Sequence, residues 1–107
     1  MIRGDIYRVR DPDGDPKRFR SFVVVSRRPL IDSKLSTVVC APIFSRGLDL
    51  ETQVPIGIHE GMKRDSWILC DNLVSIRKSD LRDFFGSLSP AKIKELNHAL
   101  RVALALD

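Results

Sequence analysis

Two short runs of β-branched and apolar residues, Phe22-Val23-Val24-Val25 and Thr37-Val38-Val39-Cys40-Ala41-Pro42-Ile43, constrain this chain more than any other feature. β-Branched side chains lose rotamer freedom in a helix but pack well on a pleated surface, so both runs are expected as buried strands, separated by Arg27-Arg28-Pro29. Neither run approaches the roughly 20 apolar residues of a membrane span, so no membrane segment and a soluble chain are expected. A sheet needs further strands. Residues 3–9 read as the first, and Thr52-Gln53-Val54-Pro55-Ile56 alternates with period two, although Pro55 has no N–H to give and confines that strand to an edge or a bulge. Residues 66–69 begin a fifth, expected to continue through residues 70–73 as far as residue 76.

Turn chemistry fills the gaps. Asp11-Pro12-Asp13-Gly14-Asp15-Pro16 gathers turn formers and two prolines that can join neither a ladder nor a helix interior, and Ser45-Arg46-Gly47-Leu48 supplies another turn. Lys78-Ser79-Asp80-Leu81 reads as a short helical turn. The last segment is a helix: Ser89 suits the N-cap, Pro90 the first helical position, and Ile93, Leu96, Leu100 and Leu104 follow at helical spacing. The expectation is one domain over residues 1–107, α+β with the β part dominant: a small curled antiparallel sheet or barrel with a C-terminal helix.

With 43% hydrophobic and 30% charged residues, the composition excludes disordered and low-complexity chains. Arg3, Asp5 and Arg8 follow Met1-Ile2 where a signal peptide would place apolar residues, so the cytoplasm is expected. Cys40 and Cys70 sit in apolar runs without CxxC spacing and read as reduced, buried thiols. A net charge of +4 favours anionic partners.

No cofactor or metal is expected. Asp11, Asp13 and Asp15 match the first ligand positions of a calcium loop, but Pro16 and Phe22 stand where it needs Gly and a bidentate Glu. His59 and His98 have no cysteine at zinc-site spacing, and they do not make the pair a two-histidine ribonuclease needs. His98 reads as an exposed helix residue, and His59 as a loop histidine or an RNA contact. Lys17-Arg18-Phe19-Arg20 places three cations and an aromatic just before a buried strand. They can grip phosphates while Phe19 stacks on a base, or Phe19 can plug the core. Arg20, at the mouth of the strand, can hold its fork of donors rigidly toward a phosphate.

In order and spacing, Arg3-Gly4-Asp5-Ile6-Tyr7, Arg20 ahead of Phe22-Val23-Val24-Val25-Ser26, Val39-Cys40-Ala41-Pro42-Ile43, Leu50-Glu51-Thr52-Gln53-Val54-Pro55-Ile56, Asp65-Ser66-Trp67-Ile68-Leu69-Cys70-Asp71-Asn72-Leu73, Lys78-Ser79-Asp80-Leu81 and Gly86-Ser87-Leu88-Ser89 form one pattern. It resembles the MazF/PemK family of toxin endoribonucleases across residues 3–106. The resemblance implies a sheet of the plasmid-maintenance-toxin, SH3-like barrel type, a homodimer, metal-independent cleavage of single-stranded RNA at a short sequence by attack of the 2′-hydroxyl, and inhibition by an acidic antitoxin segment. It places the family's catalytic arginine on Arg20 and its threonine on Thr52, with Lys17, Arg18, Phe19, Ser21 and His59 as RNA contacts. The family usually has Pro after the arginine and a Gly-bearing loop before it; here Ser21 and Lys17-Arg18-Phe19 stand there. Two other readings remain at this point: a non-enzymatic toxin that grips a protein, like the gyrase-binding toxin CcdB, and an RNA-binding module without catalysis.

Overall fold

The computed structural model describes residues 1–10 and 18–106; the acidic turn expected at residues 11–16 lies outside them, as does Lys17. Seven strands form one antiparallel sheet: β1 (Asp5–Arg10), β2 (Phe19–Val24), β3 (Thr37–Phe44), β4 (Gln53–Ile56), β5 (Ser66–Leu69), β6 (Val74–Arg77) and β7 (Asp83–Ser87). Their order is β4-β5-β3-β2-β1-β7, with β6 also on β3, and the sheet curls into a half-barrel. A one-turn helix, α1 (Arg28–Ile31), follows β2, and α2 (Pro90–Ala103) is the only longer helix among the described residues. No described helix is long and apolar enough to cross a membrane.

The β-branched runs become β2 and β3, the middle of the sheet. β3 serves two partners in succession: Thr37 to Cys40 pair with β6, while Ile43 and Phe44 pair with β5. The expected continuous strand from residue 66 to residue 76 is therefore two strands. A 3-10 turn, Cys70–Asn72, divides them, because Cys70 leaves the ladder to bury its side chain and gives its N–H to the Thr52 carbonyl at 3.0 Å. β7 went unread in the sequence: none of its side chains is fully buried, and its pairing with β1 breaks register between Ile6 and Tyr7.

The two faces of the curled sheet make two cores. On one, Ile6, Val23, Ala41, Val54 and Ile68 pack under Leu96 and Ala99 of α2; on the other, Tyr7, Val24, Val38, Cys40 and Leu81 gather without a covering helix longer than α1. The cap of α2 is as expected, with Ser89 Oγ accepting from the Lys92 N–H at 3.2 Å and Pro90 in the first turn. Leu104 is not on the buried face. The helix ends at Ala103, Ala105 takes a positive φ of 56°, and the Leu106 N–H reaches back to the Arg101 carbonyl at 2.8 Å, so Leu104 is left 52% exposed.

Gly4-Asp5 ties β1 to this helix. Gly4 has φ of 95°, and a Cβ there would meet the Ile93 side chain at 2.6 Å, so only glycine fits. Buried Asp5 accepts from the Ile2 N–H and the Ser87 hydroxyl, both at 2.8 Å, which satisfies a carboxylate that burial would otherwise penalise. Cys40 and Cys70 are free, buried and in different cores. Burial pushes the Cys40 thiol up to about 12, and burial with the nearby Asp71 charge, opposed by Arg3, pushes Cys70 up to about 11.

Candidate functional site

Strand register decides which side chains meet at the open end of β1 and β2. Arg20 stands opposite Val9, and since Ser21 pairs with Ile43, Arg20 lies beside Phe44 at the end of β3. Its guanidinium carbon is 5.4 Å from the Phe44 ring centre. Among the described residues no carboxylate lies within ion-pairing reach of Arg20, whereas Arg8 is bound to Asp83 at 2.9 Å and Arg77 approaches Asp80 at 3.6 Å.

These residues border an open cavity of about 1230 Å³. Among the described residues, five arginines line it, Arg8, Arg10, Arg20, Arg77 and Arg82, and two carboxylates, Asp80 and Asp83. Aromatic rings interleave with the cations. Phe19 lies under Arg8 at 4.5 Å and near Arg10 at 5.8 Å, and Arg8 also approaches Phe85 at 5.5 Å. Phe19 is 43% exposed, so it does not plug the core; it forms part of the cavity wall. A basic cavity with aromatic walls suits a polyanion that carries flat bases, because cations meet phosphates and rings can stack.

The other sequence-derived residues divide. Arg18 is exposed but does not line the cavity, Ser21 is half-buried within the ladder between Arg8 and Ile43, and His59 is exposed on a separate 3-10 turn, Ile58–Glu60. Thr52 is not among the described residues that line this cavity. Its neighbours Glu51, Gln53 and Val54 line a smaller cleft of about 330 Å³ against Lys94, Glu95 and His98 of α2. Its hydroxyl is already engaged, donating to Asp71 Oδ2 at 2.6 Å. The pairing of β4 with β5 puts Val54 into the core under α2, and Thr52 stands in the turn just before that strand.

Sequence reasoning missed Arg8, Arg10, Phe44, Asn72, Ser75, Arg77 and Arg82. Arg8 and Arg10 had a signal, since their two-residue spacing places both on one face of a strand. Phe44, Asn72, Ser75 and Arg77 come together through β3, which pairs with both β2 and β6, and Arg82 through the pairing of β7 with β1.

The chain matches the PemK-like, MazF-like toxin of type II toxin-antitoxin systems over residues 2–104. It belongs to the MazF/PemK toxin family. Endoribonuclease MazF3 of Mycobacterium tuberculosis strain H37Rv is 31% identical over 85 residues, which is 79% of this chain and 82% of that protein. Among solved structures, Mycobacterium tuberculosis toxin MazF-mt6 superposes with a TM-score of 0.83 at 26% identity, covering 96% of this chain and 98% of its own. An endoribonuclease from a mycobacterial species, solved in complex with its cognate antitoxin, gives 0.85 at 24% identity over 100% of this chain and 97% of that one, a likeness of fold. The half-barrel and C-terminal helix are thus those of MazF toxins, as the MazF/PemK pattern in the sequence implied.

Proposed function

We propose that this MazF/PemK-family toxin is an endoribonuclease that cuts single-stranded RNA at a short sequence without a metal ion, with Arg20 as its catalytic cation. Arg20 carries the reading. It is exposed, has no carboxylate partner among the described residues, rests on the Phe44 ring, and sits among four further arginines that can hold the flanking phosphates. The named endoribonuclease relative favours a nuclease over a gyrase-type protein binder.

In this reaction the ribose 2′-hydroxyl gives up its proton as its oxygen bonds to phosphorus, the bond from phosphorus to the 5′-oxygen breaks, and the leaving oxygen takes up a proton. The products are a 2′,3′-cyclic phosphate and a 5′-hydroxyl. Negative charge grows on the phosphoryl oxygens, and a fork of donors fixed toward them lowers the barrier by about 3 kcal/mol. A guanidinium offers five N–H donors and no acceptor, so Arg20 acts as donor and not as base. DNA lacks the nucleophile and is refused. Thr52 gives its hydroxyl to Asp71, the residue next to Asn72 of the cavity lining.

The same surface accounts for the partners. An acidic antitoxin segment complements a cavity whose described lining has five arginines and two carboxylates. A second copy of the chain would cover apolar side chains left exposed here, such as Phe84 at 55%. The cytoplasm holds both mRNA and the reducing conditions that suit two free thiols.

The test is digestion of a long unstructured RNA in excess chelator, with every cut end mapped, beside a substrate carrying a 2′-O-methyl group at the mapped site. Cutting in chelator, 5′-hydroxyl ends and no cutting of the blocked strand are expected. Loss of all activity on chelation, or 5′-phosphate ends, overturns the mechanism. Sedimentation at micromolar concentration is expected to give twice the chain mass.

A further inference from the structure

The five cavity arginines can hold phosphates, and phosphate contacts carry no sequence information directly. A nuclease that selects a short sequence needs neutral donors and acceptors beside them. Asp80 and Asp83 are engaged with Arg77 and Arg8. The uncharged side chains in the described lining that can hydrogen-bond are Asn72 and Ser75. Ser75 has one hydroxyl, on β6 opposite Val39. Asn72 carries a donor and an acceptor side by side, which matches the paired groups on a base edge as a hydroxyl cannot.

Asn72 is exposed, and its amide makes no hydrogen bond to the described residues. Its backbone is the end of the 3-10 turn Cys70–Asn72, which is pinned at both preceding residues. Cys70 is buried under α2 and gives its N–H to the Thr52 carbonyl at 3.0 Å, and Asp71 accepts the Thr52 hydroxyl at 2.6 Å. An exposed amide on a fixed turn, facing the arginine cavity, is a pre-organised reader.

We propose that Asn72 is a specificity-determining residue that hydrogen-bonds a base of the RNA, and that Thr52 is its positioning residue, acting through Asp71. This rests on the nuclease reading above. Thr52 thereby gains a role consistent with its place outside the cavity: it fixes the turn that carries the reader.

The experiment maps cut ends on one long unstructured RNA for the native protein and for Asn72→Ala, Asn72→Asp, Thr52→Val and Thr52→Ser, with melting temperatures measured alongside. Asn72→Ala is expected to lower the preference at one position of the cut motif roughly tenfold or more, as loss of a two-point base contact does. Asn72→Asp, which replaces the amide donor with an acceptor, is expected to change the favoured base there. Thr52→Val is expected to relax that same position, and Thr52→Ser to keep it. Unchanged base frequencies in Asn72→Ala overturn the assignment of Asn72. A Thr52→Val protein that cuts more slowly with an unchanged motif overturns the positioning role. If the native protein cuts no RNA, the nuclease reading fails by itself, and anisotropy with the four homopolymer RNA oligonucleotides decides the inference. A base preference present in the native protein and lost in Asn72→Ala supports it, and equal profiles overturn it.

Discussion

The two faces of the curled sheet are made from the same strands and obey opposite demands. Under α2, Ile6, Val23, Val54, Ile68 and Leu96 are at most 2% exposed, and every polar neighbour the helix brings is at its rim. On the other face, Arg20 and Phe44 border an open cavity whose described lining includes five arginines. Arg8 and Arg77 are paired with Asp83 and Asp80, whereas Arg20 has no carboxylate partner among the described residues and is open to an anion. Substitutions on the covered face should therefore act on melting and not on chemistry, and substitutions on the cavity should do the reverse.

The largest expected effect is Leu96→Ala, which removes the centre of the helix contact and leaves a void. A loss of about 3 kcal/mol in chemical denaturation is expected, with the rate of RNA cutting per folded molecule unchanged. A proportional loss of cutting would mean that the two faces are coupled. Next is Arg20→Ala, expected to slow cleavage by about a hundredfold or more while the unfolding midpoint stays within about 0.5 kcal/mol of native. Arg20→Lys should be nearly as slow, since a point charge does not reproduce the planar fork. Full activity in Arg20→Lys would reduce the role of Arg20 to its charge. The smallest is Ser89→Ala, which frees the Lys92 N–H at the start of α2. It is expected to cost about 1 kcal/mol by thermal unfolding, with the cut motif unaffected.

Legibility in the sequence follows the same division. β2 and β3 were readable because their β-branched residues repeat locally, and α2 because its cap and its apolar spacing lie within one stretch of chain. Arg20 was readable through its place ahead of a buried strand and through the family pattern. The role of Thr52 was not. Leu50-Glu51-Thr52-Gln53-Val54 marks where a strand begins, but the hydroxyl's partner, Asp71, is distant in sequence and is chosen by the pairing of β4 with β5. The break at Cys70–Asn72 was hidden for a related reason: Cys70 is apolar enough to continue a strand, and only the core under α2 pulls it out of the ladder.

By itself, then, the sequence determined the strand-rich class, the capped terminal helix, the reduced thiols and the family, because each is written in side-chain type and near-neighbour spacing. Tertiary structure alone decided that Arg8, Arg10, Arg77 and Arg82 join Arg20 in one cavity lining that does not include Thr52. Membership of a cavity depends on which strands are adjacent and on which face each register turns outward, and a shift of one residue reverses that face. Those pairings, such as Cys40 with Val74 and Ser21 with Ile43, join residues far apart in the chain. No local pattern encodes them.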